Sequence, residues 1–324
     1  MNNAPHSIVR LINQDRANGH ERLAQMRESI WQKLQSSGNL SLDHGVVAGA
    51  IVPSVERASM LTTAIAMLKG MLRRYGVEFF IYDSFATAHG KLEVTLVDMF
   101  ERAVQAALNN DDVKQLCAMV YAEQLVGIVV PDKVKLPFPI PLGGEAVGGA
   151  GSMRQMLMMQ VGSGSEVGVV EGCDIRSAEA QSLLHGRYIQ LSNLATCRWQ
   201  SFRKSRSSSA MSFFYSVQLD NESAFSMVSA HIAGKCVDSG VKVDGHSAQF
   251  SYLGTSIVEG CQAPSVKVDA SIKCDSRFFE RTHDADLAWD DVFAKNFSGK
   301  IAVEYFVELE SRRVEGLCFR ESKL

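Results

Sequence analysis

The densest chemistry in this sequence is the run Arg198-Trp199-Gln200-Ser201-Phe202-Arg203-Lys204-Ser205-Arg206, which leads through further serines into Met211-Ser212-Phe213-Phe214-Tyr215. Guanidinium and ammonium groups neutralise phosphates, and aromatic rings stack on bases. On a hairpin spanning 198–215, Arg198, Arg203, Lys204 and Arg206 would hold the backbone of a nucleic acid or another polyanion while Trp199 or Phe214 stacks on a base. Elsewhere only Arg73-Arg74 and Arg312-Arg313 offer similar charge. With 33 basic and 36 acidic residues the net charge is −3, so any polyanion binding must come from a local patch.

The other reactive patterns fail on spacing. Ala233-Gly234-Lys235-Cys236 has the end of a phosphate loop, but Ser229 stands where its first glycine belongs and Cys236 where its hydroxyl belongs. Gly143-Gly144-Glu145-Ala146-Val147-Gly148-Gly149-Ala150-Gly151 follows a proline-rich stretch, not a strand opening into a helix, which makes it a connector and not a dinucleotide site. Gly162-Ser163-Gly164-Ser165-Glu166 lacks the Gly-x-Ser-x-Gly spacing of a nucleophile elbow. His231, His246 and His283 sit in no ligand cluster. Asp284, Asp286, Asp290 and Asp291 lack the glycine and terminal glutamate of a calcium loop. No metal, cofactor or small-molecule ligand is therefore expected. An enzyme has no motif behind it, although catalytic groups dispersed in sequence can converge in a fold.

Seven cysteines, odd in number and never spaced Cys-x-x-Cys, suit reduced thiols of the cytosol. The first residues show neither a basic nor an apolar signal region. No stretch approaches the run of about 20 apolar residues that a spanning helix needs. A cytoplasmic protein is expected.

Residues 1–126 read as a helical domain or appendage. Ile8, Leu11 and Ile12, then Leu23, Met26, Ile30 and Leu34, recur at three and four residues, with a break near Asn18-Gly19 and a stop around Gly38. After Pro53, Ala58, Leu61, Ile65, Leu68 and Leu72 form one apolar face that Gly76 ends. Val77 to Tyr82 suggests a short strand. Leu92 to Leu108 and Val113 to Gln124 continue the helical spacing, with Asp111 or Asp112 as a cap between them. Such faces need cover, and Leu61, Ile65, Leu68 and Leu72 are the expected oligomer contact.

From 127 to 172 lies a connector rich in proline and glycine, with edge strands. Four of the seven prolines fall between Pro131 and Pro141, which forbids a helix and confines any strand to an edge. The methionines at 153, 156, 158 and 159 suit a strand or turn covering the core, or an adaptable contact.

Residues 173–324 read as a β-rich domain. Met211 to Leu219, Val266 to Cys274 and Ile301 to Leu309 alternate apolar and polar residues, as strands with one wet face would. Asp244-Gly245 and Glu315-Gly316 suggest hairpin turns, and Asp290 to Phe297 a short helix. The fold class expected is α+β: an N-terminal helical region followed by an antiparallel β-sandwich or open barrel of roughly eight strands.

Together these features suggest a non-enzymatic assembly or structural protein that forms a homo-oligomer through its helical region and strand edges. Nucleic-acid binding at 198–215 is the alternative. A membrane-active, pore-forming type of protein, using helices between Val46 and Leu72, is the third.

Overall fold

The computed structural model describes residues 5–37, 67–85, 92–146, 152–175, 182–205, 210–233, 236–246, 248–258, 265–273, 276–283, 302–308 and 314–320. Leu61, Ile65, Arg206, the helix expected at Asp290 to Phe297 and the aspartates at 284–291 lie outside these residues.

The helices follow their apolar spacing. Helix α1 (His6–Ala17) buries Ile8, Leu11 and Ile12, and α2 (Glu21–Ser36) buries Leu23, Ile30, Trp31 and Leu34. Between them the His20 N–H donates to the Asp15 carbonyl at 2.8 Å and the Gly19 N–H to that of Arg16 at 2.9 Å, which satisfies two end carbonyls of α1. Helix α3 (67–73) stops in the same way: the Val77 N–H reaches the Leu72 carbonyl at 3.2 Å and Gly76 adopts φ 73°, a conformation that costs a residue with a Cβ. Helices α4 (Val94–Asn109) and α5 (Val113–Tyr121) follow, and the Asp112 side chain caps α5 by accepting from the Gln115 N–H.

The strands form two sheets. The first runs, in spatial order, β1 (Glu78–Asp83), β2 (Gln124–Val130), β4 (Ser152–Val161), β6 (Ser182–Leu191), β8 (Ala210–Leu219), β10 (Cys236–His246), β12 (Ser265–Lys273) and β14 (Ala302–Glu308). The second runs β3 (Ile140–Ala146), β5 (Glu166–Ile175), β7 (Thr196–Ser205), β9 (Ala224–Ala233), β11 (Gln249–Val258), β13 (Ser276–His283) and β15 (Val314–Arg320). From β2 onward the chain alternates between sheets, one strand in each per coil, on the order of 30 residues per coil. Only β1 and β2 pair antiparallel among the named strands; neighbours from β2 to β14 and from β3 to β15 are parallel, as β6 with β8 and β7 with β9 illustrate.

The α+β class with N-terminal helices therefore holds, but the antiparallel sandwich or barrel gives way to a stack of parallel coils. From β2 onward consecutive strands do not pair; they alternate between the two sheets. Asp244-Gly245 and Glu315-Gly316 consequently lie inside β10 and β15 and not in hairpin turns.

The arches explain how the coils stack. The turns 162–165, 192–195 and 220–223 each close with an N–H from the fourth residue to the first carbonyl, at 3.2, 3.0 and 3.2 Å. Their third residues, Gly164, Leu194 and Glu222, have φ of 67°, 60° and 57°, as does Lys133 (61°) in the turn before β3. Between coils, the N–H groups of Lys133, Gly164 and Leu194 donate to the carbonyls of Ser163, Asn193 and Asn221 at 2.8, 3.0 and 3.1 Å. The ladder therefore runs on through the bends. The fourth positions, Ser165, Ala195 and Ser223, are fully buried, where only a small side chain fits between the sheets.

Strands β4, β6 and β8 of the first sheet are covered on both faces. Towards the second sheet they present Leu157, Met159, Ile189, Phe213, Tyr215 and Val217. Their other face carries Met156, Met158, Leu184, Tyr188 and Phe214, which pack with α1, α2, α4 and α5. Each such large side chain contributes about 1.5–3 kcal/mol on burial. β8 accordingly has no wet face: Ser212, Phe214 and Ser216 are as enclosed as their neighbours. The methionines are explained in the same way, since 156 and 158 face helices while 159 faces the second sheet. Contact is close enough that a Cβ on Gly186 would lie 2.9 Å from that of Ala118 on α5. Gly127, where the sequence suggests a boundary, sits inside β2, and its Cα faces Leu96 and Met99 of α4.

The beginning of the stack is closed. β1 lies along the outer edge of β2, Leu72 and Val77 plug the core beneath it, and β3 carries Pro141, which has no N–H to offer to another strand. As the prolines require, β3 is an edge strand.

Candidate interaction surface and the polar core behind it

The outer face of the second sheet has no helical cover among the described residues. Three rows cross it in register: Gly168, Arg198 and Ser226; Val170, Gln200 and Val228; Gly172, Phe202 and Ala230. Val170, Phe202 and Val228 are 37%, 46% and 44% exposed, and Arg198 and Gln200 are exposed as well. Glycine, alanine and serine between them keep the face flat. At its rim the Lys135 ammonium bonds the Glu166 carboxylate at 2.5 Å; that contact, with Arg198 nearby, holds Glu166 below the usual carboxylate range.

On the inner face of the same strands the parity of Val167 and Val169 continues into Glu171, which is 1% exposed. Arg187 of β6 donates through Nε to Glu171 Oε1 at 2.9 Å and through Nη2 to the same oxygen. The Trp199 indole N–H and the Tyr215 hydroxyl donate to Oε2 at 3.1 and 2.6 Å. Arg187 also bonds the Gly186 carbonyl at 2.9 Å and meets His185 Nδ1 at 3.0 Å. The Ser201 hydroxyl adds a longer contact to Oε2 at 3.5 Å, so this buried carboxylate gathers donors from both sheets. It fixes how the sheets face each other. Gln115 of α5 extends the linkage by donating to the Arg187 carbonyl at 3.1 Å.

A second buried pair anchors the helices. Arg27 of α2 donates to Asp15 of α1 at 2.8 Å and to the Met119 and Val120 carbonyls at the end of α5. Asp15 also accepts from the Tyr82 and Ser84 hydroxyls, both at 2.9 Å. Burial, with Asp15 adding to it, pushes the Tyr82 hydroxyl up to about 12, so it stays a donor throughout the neutral range. The Arg27 guanidinium lies 5.8 Å from the centre of the Phe100 ring.

No family model and no curated protein matches this chain.

The residues singled out in the sequence separate here. Arg198 is exposed on the bare face, whereas Trp199, its neighbour, is fully enclosed, with its N–H given to Glu171 and its ring 5.9 Å from that of Tyr215. Its ring is thus closed to a base. Arg203 and Lys204 belong to β7, in register with Cys173 and Asp174 of β5, so 198–205 is a strand inside a sheet and not a hairpin tip. Of the expected oligomer contact, Leu68 is half-buried and Leu72 wholly buried, both against the chain's own core. The sequence reading missed Glu171, Arg187, Asp15 and Arg27. Glu171 had a signal, a charge at an apolar-parity position, that becomes informative once β5 is known to be covered.

Among the described residues no group of histidine, cysteine or carboxylate side chains is placed to hold a metal, and no helix is long and apolar enough to cross a membrane.

Proposed function

We propose that this protein is a non-enzymatic structural protein that self-associates through its β-coil. One observation carries the reading: the chain's own helices cover the outside of β4, β6 and β8 in the first sheet, while among the described residues no helix covers Val170, Phe202 and Val228, which stay exposed on the second. An apolar patch on a flat sheet face is a site of association. Of the helical residues first suggested for this purpose, Leu72 is taken up by the chain's own core, so the reading rests on the sheet face and on the edge strands β14 and β15, which end the two sheets.

A cytosolic setting belongs to the same proposal, supported by the buried free thiols of Cys117 and Cys197. The nucleic-acid reading retains Arg198, but both rings offered for stacking, Trp199 and Phe214, are buried.

Sedimentation velocity across a nanomolar to high-micromolar series tests the proposal. A dimer or larger species that dissociates on dilution is the expected result. A monomer at every concentration would refute it.

A further inference from the structure

The bare face is self-complementary about one line. Val170, Gln200 and Val228 make a row across β5, β7 and β9, with Arg198 two residues to one side on β7 and Phe202 two residues to the other. Side chains at i and i+2 share a face of a strand, so all five residues lie on the outer surface, as their exposure requires. A two-fold axis in the plane of contact, running along that row, would lay a second copy face to face with its strands reversed. Valine then meets valine, and Gln200 meets its own counterpart, whose amide can both donate and accept. Each Arg198 comes over the Phe202 ring of the other copy, in two equivalent cation–π contacts. The axis parallel to the strands would instead put Arg198 on Arg198.

We infer that the outer face of the second sheet is an isologous dimer interface whose two-fold axis runs along the Val170–Gln200–Val228 row and pairs Arg198 of each copy with Phe202 of the other. Gly172, with open space where a Cβ would stand, and Ala230 leave room beside Phe202 for the opposite Arg198, while Pro139 lies over Gly168 at the rim; face-to-face sheets pack about 10 Å apart with their side chains interdigitated. This inference rests on the proposed self-association and specifies its geometry.

Charge exchange at the paired positions tests it. Phe202→Lys sets an ammonium against Arg198 of the opposite copy and should weaken association about tenfold or more. Adding Arg198→Glu to that variant sets opposite charges against each other and should restore association, now sensitive to salt. Both side chains are exposed, and circular dichroism of each variant checks that the fold is kept. If the wild type is a monomer, the functional reading and this geometry fall together. If the wild type associates but Phe202→Lys leaves the constant unchanged, or Arg198→Glu fails to rescue it, the geometry alone is overturned.

Discussion

Replacing Glu171 with alanine should destabilise the fold by about 3–5 kcal/mol, the range for a buried ion pair that loses one partner. The loss exceeds that of a hydrogen bond because Arg187, 1% exposed, keeps its charge where no water can replace the carboxylate. Trp199 loses its acceptor at the same time, and Tyr215 is left with the longer contact to the Ser201 hydroxyl at 3.3 Å. Such a change consumes a large part of the stability of an ordinary domain, so the urea midpoint should fall sharply. The double variant Glu171→Leu with Arg187→Met removes both charges at similar volume and should recover much of the loss. A loss of stability below about 1 kcal/mol for Glu171→Ala would mean that the carboxylate is not enclosed as described.

Arg27→Ala should have a comparable effect, about 3–5 kcal/mol, for a related reason. Asp15 would remain buried with only the Tyr82 and Ser84 hydroxyls to bond it, and the Met119 and Val120 carbonyls would lose the guanidinium, Met119 keeping the Ala122 N–H. The helical layer should loosen before the strands, because Arg27 joins α1 and α2 to α5. Hydrogen exchange would then show lost protection concentrated in α1 and α2. Uniform loss across helices and strands, or no loss, would contradict a local anchor.

The local structure of the helical part was legible because its signals are local. Gly76 and the Asn18-Gly19 pair stop helices where their spacing suggests, Asp112 caps α5, and Val77 to Tyr82 covers most of β1. The β-coil was only half legible. Alternation marks a strand and its faces but not its partner, and an arch between sheets looks in sequence like a hairpin turn. The usual glycine cue is missing from three of the four left-handed turn positions, which are Lys133, Leu194 and Glu222. Few side chains recur from coil to coil, because the repeat is carried by the backbone ladder and by small residues such as Ser165, Ala195 and Ser223. Among the suggested site residues, Arg198 and Trp199 are adjacent in sequence and therefore fall on opposite faces of β7. A reading that groups neighbours along the chain places them together; a strand separates them.

Everything proposed for the bare face depends on β7 and β9 lying side by side, parallel and in register. A double variant, Thr196→Cys with Ala224→Cys, measures this directly, since those positions are register partners and adjacent strands hold partner Cα atoms within the reach of a disulfide. After mild oxidation, peptide mapping should recover a 196–224 crosslink within one chain. If both thiols react freely with an alkylating reagent but no such crosslink forms, the parallel coil is contradicted, and with it the face on which association is proposed.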